Sequence, residues 1–380
     1  MNTSSDPHAL ALHASDHAAD PANRSSWPSA KPGEFDARQA KAIISDLFTP
    51  DARIYWMDMI ATAAAAYSAA TVYFLTPWAN PLKSVMLLVA GFGLFRAGAF
   101  IHEIQHFSGN SMRRFTTGWN LLCGIPMLSP SFLYDNHASH HSRATYGTVD
   151  DGEYLPLGRG AWGHFAVYVL QAVLLPLIVA FRFLFLTPLA LISRAWRYFV
   201  LRRVSYYGIN PHYRHTPPDP LPRSWAWLEA ACMARAWMIP GAVVLGLNPP
   251  HRIFDLYILA SVSLGLNYVR NVAAHRYRSE GEPMTYSEQL LDSISITGHP
   301  VWTELLFPVG LRYHALHHIF PTIPYHNLAR AHQRLMQELP ADSPYRRTVY
   351  PSFAAVLRQL AGDVREARAA AQAPEARTAA

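Results

Sequence analysis

Histidine is the residue type whose placement in this chain can do chemistry. Eight of its 19 His fall into three tight clusters. His102 and His106 stand in "HEIQH", spaced i, i+4. His137, His140 and His141 stand in "HASHH", and His314, His317 and His318 in "HALHH", both spaced i, i+3, i+4. On a helix each set projects from one face. Imidazole is a common metal ligand and suits zinc, iron, copper and nickel. One zinc takes about four ligands, so eight His point to two metals. A ferritin-like di-iron site needs two Glu-x-x-His pairs and two further Glu. Here Glu103-x-x-His106 is the only such pair, and an all-His dinuclear site fits better.

HEIQH alone also fits H-E-x-x-H, the zinc-protease signature in which Glu103 would be the general base. Membrane proteases of the site-2 type need a further Asp in an L-D-G element. This chain offers only "LLDS" (290–293), without the Gly. The protease reading also leaves the remaining clustered His without a task.

The elements that position these clusters read as membrane helices. The chain is 380 residues long and 51% hydrophobic, with a net charge of +6. Its apolar runs favour a membrane protein with basic loops over a nucleic-acid binder. Cys123 and Cys232 are its two Cys, which excludes a disulfide framework and a Cys-based metal site. Residues 1–34 lack the apolar core of a secretory signal and read as a disordered tail, with His8, His13 and His17 in it. The Ala-rich end, 367–380, reads as frayed.

Four main spans are expected, at about 53–76, 81–106, 224–247 and 252–270, forming two hairpins. Arg96 lies about 9 Å short of His102 at 1.5 Å rise per residue, so it can snorkel to the interface and leave His102 and His106 just beyond the bilayer. Segment 163–193 carries Pro176, Arg182 and Pro188 and reads as interfacial or re-entrant. The loop 194–223 holds Arg194, Arg197, Arg202, Arg203, Arg214 and Arg223 against the single acid Asp219, which makes it cytoplasmic. The expected fold is therefore all-α and integral to the membrane, within 35–366. Its His-box regions, 102–162 and 275–340, form a cytosolic helical cap, with both termini on that side.

The three boxes in this order, over roughly 55–340, resemble the membrane fatty acid desaturase superfamily. "SHHSRATYGTVDDGEY" (139–154) is similar to its second box and "PVGLRYHALHHIFPTIPYHNL" (308–328) to its third. The resemblance implies an integral membrane di-iron oxygenase with cytosolic His boxes, using O2 and two external electrons. It also implies a ninth His and a nearby Asn at the end of the last span, met here by His275 and Asn271 in "NVAAHRY". The implied metal set is then His102, His106, His137, His140, His141, His275, His314, His317 and His318, with Asn271 acting through a water. Of the acids Glu103, Asp135, Asp150, Asp151 and Glu153, only Glu103 is favoured as a hydrogen-bond partner of a ligating imidazole. His164, His212, His215, His251, His299, His326 and His332 are not expected to ligate.

The implied activity is desaturation of the acyl chain of a lipid or acyl thioester. Lipid or alkane hydroxylation and carotenoid oxygenation are the alternatives within the superfamily. With no heme-binding segment and no iron–sulfur Cys set, electrons must come from outside. A ferredoxin, or a cytochrome b5-like protein with its reductase, would suit the Arg-rich face. Arg in place of Lys and abundant Ala point to a bacterial inner membrane.

Overall fold

The computed structural model describes residues 34–108, 110, 112–155, 162–205, 209–210, 213–279 and 281–372. The His8, His13, His17 and His212 positions lie outside these. The described chain is mostly helical. Its two named strands form one short parallel pair, Ser295–Ile296 beside Val349–Tyr350.

The first hairpin is Ala52–Leu75 followed by Pro81–Ile104. Asp51 caps the first helix by accepting from the Arg53 N–H, and Asn80 caps the second, with Pro81 in its first turn. Small residues let the two backbones approach. A Cβ on Gly93 would stand 2.8 Å from the Cβ of Ala66. The second hairpin is Arg223–Val244 and His251–Val272. It packs on the first just as closely, since a Cβ on Gly91 would meet Val262 at 2.6 Å.

Far from the His clusters, a buried ion pair ties the hairpin turns together. Lys83 Nζ lies 3.0 Å from Asp255 Oδ2 and also donates to the carbonyls of Tyr73 and Thr76. Trp78 Nε1 donates to the other carboxylate oxygen of Asp255. Arg96 does not stand free at an interface: it pairs with Asp58 at 2.6 Å and Glu304 at 3.2 Å.

By length and composition two described helices can cross a membrane, Pro81–Ile104 and Ala166–Ile192. The other three expected spans are more polar, carrying residues such as Arg53, Asp58, Glu229, Arg235, Arg252 and Asp255. Segment 163–193 is expected to be interfacial or re-entrant. It does not turn back at Pro176 or Pro188 but runs on as one helix, through a π turn at Arg182–Leu186. Two contacts make this possible. Pro188 cannot donate to the Leu184 carbonyl, and Trp237 Nε1 supplies that bond at 3.2 Å. Arg182 turns inward to Glu229 at 2.8 Å, and Arg197 also pairs with Glu229.

The His-bearing layer packs on the ends of the hairpins. Helices Tyr286–Asp292, His314–Ile319 and Tyr325–Glu338 bury Leu290, Leu316, Ile319, Leu328 and Leu335 against Ala37–Ile43. Thr285 and Glu288 form a reciprocal cap at the start of Tyr286–Asp292. The last helix, Phe353–Gln372, continues beyond 367, where fraying was expected, because its Ala, Arg and Glu are strong helix formers.

Candidate metal centre

Each His cluster arrives on a short stretch held from beneath. His102 lies in the last turn of Pro81–Ile104, and His106 in the turn that follows. Ser129 and Pro130 precede the second box. They lead into a separate 3-10 turn, Ser131–Tyr134, before the one-turn helix His137–His140. His314 and its partners occupy His314–Ile319. His275 stands just past the end of His251–Val272, in an isolated bridge to Ser293.

The fold brings all nine predicted His together, in two groups. His102, His106, His137, His141 and His317 form one; His140, His275, His314 and His318 form the other. Within each group the donor atoms lie within 4.8 Å of one another. Each i, i+4 pair stays in one group. The i+3 His of a box crosses to the other: His140 leaves His137 and His141, and His317 leaves His314 and His318.

Facing Nε2 atoms are closely spaced. The distance is 3.0 Å for His137–His141 and 3.1 Å for His106–His317. In the second group it is 3.2 Å for His140–His275, 3.0 Å for His275–His314 and 3.1 Å for His314–His318. Neighbouring ligands at right angles around a metal, at a metal–nitrogen length of about 2.1 Å, lie about 3.0 Å apart. The spacing is therefore that of ligand-shell edges. His102 adds a second sign: it is buried, and neither ring nitrogen has a hydrogen-bond partner. A buried polar group without a partner is costly, and a metal would supply one. The residues present fit two metal ions.

Burial, then the like charge of neighbouring imidazoles, holds His141 and His318 well below the usual imidazole range. His275, His314 and His317 are held down in the same way. These rings stay neutral and keep a lone pair for a metal. Burial also lowers His137, against the pull of Glu153. Burial lowers His140 as well, but the adjoining Asp151 carboxylate outweighs it and raises that imidazole.

The outward nitrogens show what aims the rings. His137 Nδ1 is 2.9 Å from Glu153 Oε1, whose other oxygen accepts from Tyr134 OH. His140 Nδ1 lies 2.9 and 3.0 Å from the two oxygens of fully buried Asp151. His275 Nδ1 meets Tyr146 OH at 2.8 Å. That hydroxyl and Tyr154 OH both reach Asp292 Oδ2. Asp151 also accepts from the Gly147 and Glu153 N–H groups. Gly147 sits at φ +73, and a Cβ there would strike Ser279 at 2.7 Å. A glycine is thus needed where the loop folds back.

Glu103 has a different task from the one expected. Its carboxylate accepts from Tyr55 OH and, at 2.9 Å, from the Tyr325 N–H. It stands 4.0 Å from His102 Nδ1, beyond hydrogen-bond reach. Adjacent helical residues do not face each other, so a residue beside a ligand is poorly placed to support it. Asp151 and Glu153 take that part. The acid run "DDGE" just after the second box was the available signal for them. Nothing local marks Tyr146 or Asp292, which are 146 positions apart. The remaining acids stand apart from the ligands: Asp135 faces His215 at 3.3 Å, and Asp150 is exposed.

Asn271 lines a small cavity with His102, His137, His140, His275 and His314, and its side-chain oxygen accepts from Arg270. His332 bonds Tyr345, His326 accepts from the Asp51 N–H, and His251 and His299 are exposed. His215, His251, His299, His326 and His332 join neither metal group.

The site is a metal-fitting, all-His centre in a helical, partly apolar chain. The family model for fatty acid desaturases matches residues 76–350, and the chain belongs to that family. It is also similar to a protein described as "Ceramide hydroxylase" from Caulobacter vibrioides (strain NA1000 / CB15N). The two are 35% identical over 336 residues, which cover 88% of this chain and 95% of that protein. The desaturase and hydroxylase branches of the superfamily are both represented among these matches.

Proposed function

We propose that this protein is an O2-dependent membrane oxygenase that oxidises an unactivated C–H bond in the chain of a lipid. The observation that carries the reading is the gathering of nine His into two groups with ligand-shell spacing. In this reading the nine His hold two irons, with Asn271 acting through a water. Loaded with iron, such a centre supplies reductive activation of O2 and hydrogen abstraction. Asp151, Glu153 and the Tyr146–Asp292 pair accept or relay the outward N–H, fix the tautomer and aim Nε2 inward. The rigid layer beneath the centre holds the lipid chain in register, so that one carbon meets it.

Hydroxylation consumes O2, two electrons and two protons per C–H, and yields an alcohol and one water. Desaturation uses the same inputs and yields an alkene and two waters. Hydroxylation of a ceramide-type lipid is the first reading, supported by similarity over nearly the whole length of the relative. Acyl desaturation is the second, supported by the family match and the "HHIFPTIPYHNL" stretch. In this reading the two hairpins supply the four spans, the 163–193 helix lies along the membrane without crossing it, and the His boxes face the cytoplasm at a bacterial inner membrane. The Arg-rich loop there receives an acidic external donor.

Metal analysis of the purified chain tests the centre. About two irons per chain are expected; a single zinc with peptide cleavage would refute it. His317→Ala should stay in the membrane, lose iron and form no product. Mass spectrometry of lipids from an expressing host separates the outcomes. Gain of one oxygen marks hydroxylation, and loss of two hydrogens marks desaturation.

A further inference from the structure

Among the described residues, every buried Lys or Arg but one is answered by a carboxylate or by several carbonyls. Lys83 meets Asp255, and Arg182 meets Glu229. Arg312 spends its guanidinium on the carbonyls of Ile296, Thr297 and Pro300. Arg270 is the exception. It is 5% exposed and lines the cavity beside His102, His137, His140, His275, His314 and Glu153, whose two carboxylate oxygens are taken by His137 and Tyr134. Its bonds go to two neutral side-chain oxygens, Asn267 Oδ1 at 3.2 Å from Nε, and Asn271 Oδ1. Among the described residues no carboxylate reaches it within ion-pair distance.

A guanidinium has five N–H donors in a planar fork. Two of them engaged leaves most of the fork without a strong protein acceptor, turned to the cavity. The position in the last turn of His251–Val272 gives some relief, since cations are favoured at a helix C-terminus. That partial charge does not satisfy the remaining N–H groups. The asparagine contacts also hold the guanidinium in place at the cavity wall.

We propose that Arg270 binds an oxygen of the lipid substrate's polar group, the carbonyl or hydroxyl oxygen of a long-chain amide, and so fixes oxidation a few carbons from that group. The proposal rests on the oxygenase reading and deepens it. Arg270 and the His donors wall the same small cavity, so an oxygen held by Arg270 brings its neighbouring carbons to the centre. A bare methylene stretch drawn through the same space would strip Arg270 of water and return no acceptor. Mid-chain oxidation, with the head far away, therefore suits this cavity poorly.

The test has two arms, both with the full-length chain. In the first, wild type, Arg270→Gln and Arg270→Lys are expressed in a host that makes both long-chain N-acyl amides and ordinary acyl lipids. Tandem mass spectrometry then maps the oxidised carbon. Wild type should oxidise the amide lipid close to its amide or hydroxyl oxygen. Arg270→Gln should lose about ten-fold or more of that product, the order expected on losing a charged hydrogen bond. It should keep its iron, and Arg270→Lys should recover part of the product. Oxidation at mid-chain by wild type, or undiminished product from Arg270→Gln, overturns the proposal.

In the second arm, thermal unfolding of the iron-loaded protein in detergent is followed with a long-chain N-acyl amide and with a chain-matched hydrocarbon. The amide should raise the midpoint of wild type but not of Arg270→Gln. Equal shifts from both ligands overturn the proposal, whatever the first arm yields. Absence of any oxidised lipid from iron-loaded wild type overturns the oxygenase reading instead, and the binding arm still judges Arg270.

Discussion

Asp151→Asn is the sharpest probe of how the centre is built. Both oxygens of this buried carboxylate sit 2.9–3.0 Å from His140 Nδ1, and they also accept from the Gly147 and Glu153 N–H groups. The substitution keeps the size and removes the charge. It also turns an N–H donor toward a ring nitrogen that now donates. The easiest escape is a tautomer shift that puts the proton on Nε2, the atom aimed at the metal. A hydrogen bond to a charged group is worth about 1.5–3 kcal/mol. At about 1.4 kcal/mol per decade, that is roughly ten- to hundred-fold in affinity. Losing the carboxylate behind a ligating His costs about the same range.

The effect should fall on one metal, because His140 belongs with His275, His314 and His318. The assay is a chelator competition on purified, iron-loaded protein, with iron counted per chain. One iron should leave Asp151→Asn at roughly ten- to hundred-fold lower chelator than in wild type. The iron held by His102, His106, His137, His141 and His317 should leave as before. Losing the strong bond to one backbone N–H costs about a further 1 kcal/mol of stability, which thermal unfolding would show. Retention of both irons at wild-type chelator levels, or release of both together, would refute the two-group architecture.

Three further outcomes follow from the same contacts. Tyr146→Phe removes the hydroxyl between His275 and Asp292 and should weaken the same iron about ten-fold; unchanged iron retention would discard that relay. Lys83→Met leaves Asp255 buried without its cation and should cost about 3–5 kcal/mol, while Lys83→Met with Asp255→Leu should recover much of it. A thermal unfolding midpoint that stays at the wild-type value in the single variant contradicts the strut. Glu103→Gln still offers an oxygen to Tyr55 and Tyr325 and should lose only about 1–2 kcal/mol of stability. Its iron content and product should persist; complete loss of catalysis would revive the role of Glu103 as a general base.

What was legible in the sequence was local. Helical spacing placed each box on one face, because i, i+3 and i+4 are neighbours on any helix. The family resemblance then added His275 and Asn271, which no spacing rule selects. Mean apolarity announced membrane helices, but the path of the chain at 163–193 was not legible in it. There the two prolines are accommodated by a π turn and by a Trp237 donor from another helix. Such a donor is invisible until the chain is folded.

The sequence by itself marked the eight box His as ligands in this reading, because ligand type and spacing along one turn are local properties; His275 entered only through the family resemblance. Tertiary structure alone decided how the nine divide. The i, i+4 pair of each of the second and third boxes shares a face, while its i+3 member is turned away toward whatever the fold packs alongside. The same holds for the groups that aim the rings. Asp151 reaches His140 because Gly147 lets the loop fold back, and Asp292 reaches Tyr146 across 146 positions. Glu103, next in sequence to a ligand, points elsewhere, since adjacent side chains on a helix diverge. Arg270, unremarkable as a last-turn cation in the sequence, acquires its interest only from burial without an anion.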